Sequence, residues 1–136
     1  MVDSRWQIAI FLILLDQICK FLIKAYFPTL VVLNEKGVFG ILPWWFLIFG
    51  IFGILWLAIK RSWFFQNWGF LLIVAGGVSN IIDRVFYGGV VDFINIGQLP
   101  VFNLADVMIS LGVIFIIIGF VKLLILLNKH LYYLIS

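Results

Sequence analysis

Residues 102–127 read FNLADVMISLGVIFIIIGFVKLLILL. Between Asp106 and Lys122 this stretch carries no charge, and an α-helix needs about 20 mostly apolar residues to cross a bilayer. The stretch reads as a transmembrane span whose polar residues, Asn103 and Asp106, lie together in its first turns. Working back along the chain, three further stretches come close to the same standard, at about 63–82, 44–59 and 6–27. The spacing predicts a membrane all-α fold of four transmembrane helices, with residues 1–136 forming one integral membrane domain. Pro43 at the start of the second span, Ser62 at the start of the third and Pro100 before the fourth are suitable helix punctuation. The first stretch lacks a basic leader and a small-residue cleavage site, and Asp16, Lys20 and Lys24 interrupt it. It reads as a retained helix rather than a secretory signal.

Composition agrees. Of 136 residues, 65% are hydrophobic and only 11% charged, where a soluble domain has about 25% charged residues. Mean hydropathy is +1.25. These values exclude a soluble two-domain enzyme and a disordered chain, and a net charge of +3 is too small for nucleic-acid binding. Cys19 is the single cysteine, which excludes an internal disulfide and a multi-cysteine metal site. Arg5, Lys60, Arg61 and Lys129 fall on one side of the predicted membrane, and Lys36 and Arg84 on the other. The positive-inside rule then puts both termini in the cytoplasm.

The two outer loops carry strand signals. In the first, Leu30–Leu33 and Val38–Ile41 flank Asn34-Glu35-Lys36-Gly37 and read as two short strands around a turn. In the second, Gly88-Gly89 precedes Val90-Val91-Asp92-Phe93-Ile94. Together they predict a small β platform and loop on the extracytoplasmic side.

An ionisable group in hydrocarbon costs about 2.5 to 3.5 kcal/mol on insertion scales, so the placement of the few charges is informative. Asp16 and Lys20 share a helix face and can pair. Lys24 continues that stripe, and all three are expected to face the bundle interior, either locking helix packing or serving a site. Asn80 and Asp83 share a face at the end of the third span, where Arg84 is expected to neutralise Asp83 and make it structural. Asp92 and Asp106 have no cation beside them in sequence. They are either unrelated polar anchors or, if the strand folds back over the bundle, a carboxylate pair. Two close carboxylates cannot both ionise, so one holds a proton while the other acts as base. Such a pair activates water and protonates a leaving nitrogen. The lone histidine, His130, lies in the tail, so neither a histidine-based metal site nor a serine–histidine pair at Ser79 or Ser110 is expected. A small transporter or channel subunit that uses the buried charges as an ion path is the other function class these residues permit.

Five strings in order resemble the lipoprotein signal peptidase (signal peptidase II) family: Asp16-Gln17-Ile18-Cys19-Lys20; Asn34 with Phe39-Gly40; Gly76 to Arg84; Val90-Val91-Asp92-Phe93; and Phe102-Asn103-Leu104-Ala105-Asp106. The resemblance implies an aspartic endopeptidase of the bacterial cytoplasmic membrane that needs no metal or cofactor. Its substrate would be a diacylglyceryl-modified prolipoprotein, cut just before the lipidated cysteine. It further implies that Asp92 and Asp106 are catalytic, that Asn34, Asn80, Arg84 and Asn103 line the site, and that Asp16, Lys20 and Asp83 support it. Membrane lipids are the expected surroundings, the active site is expected at the extracytoplasmic face, and the expected state is a monomer. Ser79 stands where the family usually has glycine, which is read as a small residue suited to close helix packing.

Overall fold

The computed structural model describes residues 4–35 and 68–135. The predicted second span, the Val38–Ile41 strand and the beginning of the third span lie outside the described residues. Within them the chain runs α1 (Ser4–Tyr26), a 3-10 turn (Pro28–Leu30), β1 (Val32–Asn34), α2 (Trp68–Tyr87), β2 (Val90–Asp92) and α3 (Leu104–Ile135).

Each helix end follows from local sequence. Pro28 forces the preceding residue out of the helical region, and Phe27 has φ −133°, so α1 stops at Tyr26. Helix α2 runs past the predicted limit at Ile82 to Tyr87, which puts Asp83 and Arg84 inside the helix. It ends where Gly88, at φ +76°, donates its N–H to the Arg84 carbonyl at 3.1 Å, the left-handed cap that glycine adopts at least cost. Helix α3 starts at Asn103, whose side chain caps it as described below.

Helices α2 and α3 pack antiparallel through small residues. A Cβ added at Gly69 would lie 2.6 Å from the Gly112 carbonyl oxygen, and one at Gly76 would lie 2.4 Å from that of Ala105. Only residues lacking bulk let two backbones come this close. Ala9 of α1 joins Leu71, Ala75, Ala105 and Met108 in the buried core, so α1 covers the seam between the other two helices. Helix α2 and the Leu104–Asn128 part of α3 are long and apolar enough to cross a membrane. Large apolar side chains such as Phe115, Ile117 and Leu124 point outward from α3, as a lipid-facing surface requires.

The β structure joins the two loops, and the Val38–Ile41 partner of the expected local hairpin lies outside the described residues. Strand β1 pairs antiparallel with β2, Val32 opposite Asp92 and Asn34 opposite Val90. The backbone hydrogen bonds of β1 are thus met by β2. Beyond β2 the chain turns back on itself. Ile94 and Phe102 form an isolated antiparallel bridge, with hydrogen bonds of 2.8 and 3.1 Å between them. This closure returns the chain to the end of the bundle before α3 begins, which is why Asp92 and Asp106 both reach Asn103.

Candidate active site

The site is built in two layers at the end of the bundle where α1 and α2 finish and α3 starts. In the upper layer, Asn103 is the link. As the N-cap of α3, its Oδ1 accepts the Asp106 N–H at 3.0 Å, and its own N–H donates to Asp106 Oδ2 at 3.2 Å. This reciprocal pair is a capping box, and it fixes the orientation of the Asp106 carboxylate. The Asn103 Nδ2 donates to Asp92 Oδ1 at 2.7 Å, so one asparagine touches both aspartates. Asp92 Oδ2 accepts from Asn34 Nδ2 at 3.2 Å, across the β1–β2 pair. Asp106 Oδ1 accepts from Asn80 Nδ2 at 2.9 Å. Asn34, Asn80 and Asn103 therefore surround the two carboxylates with amide donors from three elements.

Asp92 is buried whereas Asp106 is half-buried. Burial, followed by the nearby Asp106 carboxylate, pushes the Asp92 carboxyl up to about 6, against the donors Asn34 and Asn103 that favour its ionised form. Asp92 consequently keeps a proton in a range where an ordinary carboxyl has lost it, as one member of a close carboxylate pair must.

The lower layer is an ion cluster. Lys20 Nζ lies 2.7 Å from Asp16 Oδ2 and 2.7 Å from Asp83 Oδ2, and it donates to Asn80 Oδ1 at 3.0 Å. All three charged side chains are 2% exposed or less. Asp16 Oδ1 accepts the Ala105 N–H at 3.1 Å, and Asp83 Oδ2 accepts the Val91 N–H at 3.0 Å. Those two backbone groups flank Asp106 and Asp92. Every buried side-chain polar atom among the described residues has a partner, the condition under which buried charge is tolerable.

Most of the sequence-predicted residues meet here, with three corrections. Asp83 is neutralised by Lys20 and not by Arg84, because adjacent residues on a helix point in different directions. The half-buried Arg84 instead donates from Nη1 to the Asn80 carbonyl at 3.3 Å. Lys24 does not continue the interior stripe: it is exposed and sits 3.6 Å over the Tyr87 ring, since its stem reaches past the end of the packed interface. Ser79 is more than a small packing residue. It is fully buried and donates to Asp16 Oδ2 at 2.7 Å. Sequence reasoning also passed over Gln17, whose Nε2 contacts Ser79 Oγ at 3.0 Å and Asp83 Oδ1 at 2.9 Å. The available signal was an uncharged amide beside Asp16 in an apolar helix.

A model of the family described as signal peptidase (SPase) II matches residues 8–122. The chain belongs to the signal peptidase II family. Among its relatives, the lipoprotein signal peptidase of Syntrophomonas wolfei is 35% identical, covering 86% of this chain and 81% of that protein. That of Thermodesulfovibrio yellowstonii is 37% identical over 81% of this chain and 90% of the relative. A bacterial membrane enzyme solved by the in meso method at 1.9 Å resolution superposes with a TM-score of 0.73 at 29% identity, covering 90% of this chain and 95% of that one. As a signal peptidase II, the chain is a peptidase, and its apolar helices suit a membrane enzyme.

Proposed function

We propose that this signal peptidase II removes the signal peptide from diacylglyceryl-modified prolipoproteins, cleaving before the lipidated cysteine with Asp92 and Asp106 as the catalytic dyad. The observation that carries the reading is the contact of both carboxylates with Asn103. A water between the carboxylates loses a proton to the ionised member as its oxygen attacks the scissile carbonyl carbon, and the protonated member stabilises the forming oxyanion. The C–N bond then breaks as the nitrogen takes up a proton from the dyad. Asn34, Asn80 and Asn103 orient the carboxylates, and Arg84, one helical turn from Asn80, serves the substrate backbone. Asp16, Lys20 and Asp83 support the site from below.

The same reading gives one domain over residues 1–136 with four spans, both termini cytoplasmic, acting as a monomer in the bacterial inner membrane. The dyad lies beside the β1–β2 pair at the extracytoplasmic ends of the helices, the depth at which a diacylglyceryl group anchored in the outer leaflet presents its cysteine. Lipid-facing apolar side chains on α3 suit a cleft that admits acyl chains from the bilayer.

The test is reconstitution in lipid with a diacylglyceryl-modified prolipoprotein. Wild type is expected to release the signal peptide, and Asp92→Asn and Asp106→Asn each to lose nearly all turnover while retaining helical content. Full activity in either variant overturns the dyad. A transporter would instead give solute flux across the vesicle and no cleavage.

A further inference from the structure

Five side chains beneath the dyad form a closed ring across α1 and α2. Lys20 contacts Asp16, Asp16 accepts from Ser79, Ser79 accepts from Gln17, Gln17 donates to Asp83, and Asp83 returns to Lys20. The two carboxylates have matching roles. Each places one oxygen on Lys20, each receives one donor from the Ser79–Gln17 side, and each holds one backbone N–H beside a dyad residue: Ala105 for Asp16 and Val91 for Asp83. The ring therefore has two tethers, one to the strand that carries Asp92 and one to the helix start that carries Asp106.

Asp83 binds both Lys20 and the Val91 N–H through Oδ2, so the Gln17 donor on Oδ1 is what fixes the plane of that carboxylate. In Asp16, Oδ2 binds Lys20 and Oδ1 the Ala105 N–H, and Ser79 adds a second donor to Oδ2 that holds the carboxylate against the Lys20 side. Gln17 Nε2 also lies 3.0 Å from the Ser79 carbonyl oxygen, so the amide is held in place by its own partners. A residue suited only to close packing would present no hydroxyl here; Ser79 is fully buried and uses its hydroxyl both as donor and as acceptor.

We propose that Gln17 and Ser79 are positioning residues for the peptidase reaction, completing a ring that sets the separation of the two catalytic carboxylates through the Val91 and Ala105 N–H groups. The inference rests on Asp92 and Asp106 being the dyad. Neither residue touches the dyad, so their removal acts on alignment. A hydrogen bond to a charged group is stronger than one between neutral groups, and tenfold in rate corresponds to about 1.4 kcal/mol. Partial transmission to the transition state therefore lowers kcat about tenfold. Because both residues complete the same ring, opening it twice costs little more than opening it once, and the two effects are non-additive.

The experiment compares Ser79→Ala, Ser79→Gly, Gln17→Leu and the Ser79→Ala/Gln17→Leu double variant in lipid, with kcat and KM measured on the diacylglyceryl-modified prolipoprotein and unfolding followed in parallel. The expected result is a drop of about tenfold in kcat for each single variant with KM nearly unchanged. The double variant is expected within about threefold of the worse single variant. Wild-type kcat in Ser79→Ala and Gln17→Leu overturns the proposal, as does a double variant whose loss equals the product of the two. Ser79→Gly, which keeps the small volume, supplies the serine measurement if Ser79→Ala does not fold. Asp92→Asn and Asp106→Asn are assayed alongside. If they retain turnover, the dyad reading fails; if they are inactive and the ring variants are fully active, only the present inference fails.

Discussion

Replacing Lys20 by methionine is the most direct perturbation of the site, because it keeps an unbranched side chain and removes one charge. In the wild type, two buried carboxylates share this ammonium at 2.7 Å each, leaving the cluster with one net negative charge. Lys20→Met leaves two. Asp16 keeps Ser79 and the Ala105 N–H, and Asp83 keeps Gln17 and the Val91 N–H, but each loses its counter-ion, and Asn80 Oδ1 loses a donor. Removing one partner of a buried ion pair costs about 3 to 5 kcal/mol, against a total folding stability of about 5 to 15 kcal/mol. Lys20→Met is therefore expected at or beyond the upper end of that range and close to the limit of folding. Adding Asp16→Asn restores the single negative charge, and the side-chain oxygen can still accept from the Ala105 N–H. The double variant should regain at least half of the lost stability. Circular dichroism during unfolding in mixed micelles of rising denaturing-detergent fraction measures both. A Lys20→Met protein within about 1 kcal/mol of wild type, or a double variant no more stable than the single, would refute the charge argument, since a loss caused by altered packing has no reason to be reversed at Asp16.

The raised Asp92 carboxyl makes stability depend on pH. Its folded value of about 6 lies above the ordinary 3.8, so its stabilising contribution is complete below about pH 4 and is lost as pH rises through 6. Relative to Asp92→Asn, wild type should lose about 1 to 2 kcal/mol between pH 4 and 7.5, part of the roughly 3 kcal/mol that two units represent, because the neighbouring half-buried Asp106 leaves the site partly screened. A difference that does not change with pH contradicts the shift. Gly69→Ala and Gly76→Ala each press a methyl group on a backbone carbonyl of α3 and should each cost about 1 to 3 kcal/mol. Only Gly76→Ala should also lower kcat, because the carbonyl it meets belongs to Ala105, next to Asp106. Equal kcat in the two folded variants would separate α3 packing from dyad alignment.

The sequence made α2 and α3 legible because bilayer crossing imposes a length and an apolar composition that both satisfy, and the helices α1 and α3 begin within two residues of their predicted positions. It made the polar residues of the site legible for the same reason: against so apolar a background, Asp16, Lys20, Asp83, Asp92 and Asp106 stand out. What it left unread was pairing. Strand β1 takes its partner β2 from a distant part of the chain, and no local pattern encodes that. The choice of Lys20 over Arg84 as the partner of Asp83 likewise depends on which α2 face meets α1. Gln17 was passed over, and Ser79 was read only as a small packing residue, because uncharged side chains carry little cost in isolation. Their roles emerge only from the carboxylates they touch.

The two layers are physically coupled. In the proposed dyad the two carboxylates repel whenever both are ionised, and the pieces of chain that carry them are a three-residue strand and the first turn of a helix, neither rigid alone. The force that opposes their separation comes from below. Asp83 holds the N–H next to Asp92, Asp16 holds the N–H next to Asp106, and both carboxylates are drawn to Lys20 in a setting where water does not screen the attraction. Repulsion in the reactive layer is thus opposed by attraction in the buried one, transmitted through two backbone hydrogen bonds. On this reasoning the cost of burying three charges in a small membrane protein is offset by alignment more than by stability, which is why the ring variants should lose kcat when the loss of a single neutral donor leaves the helices packed.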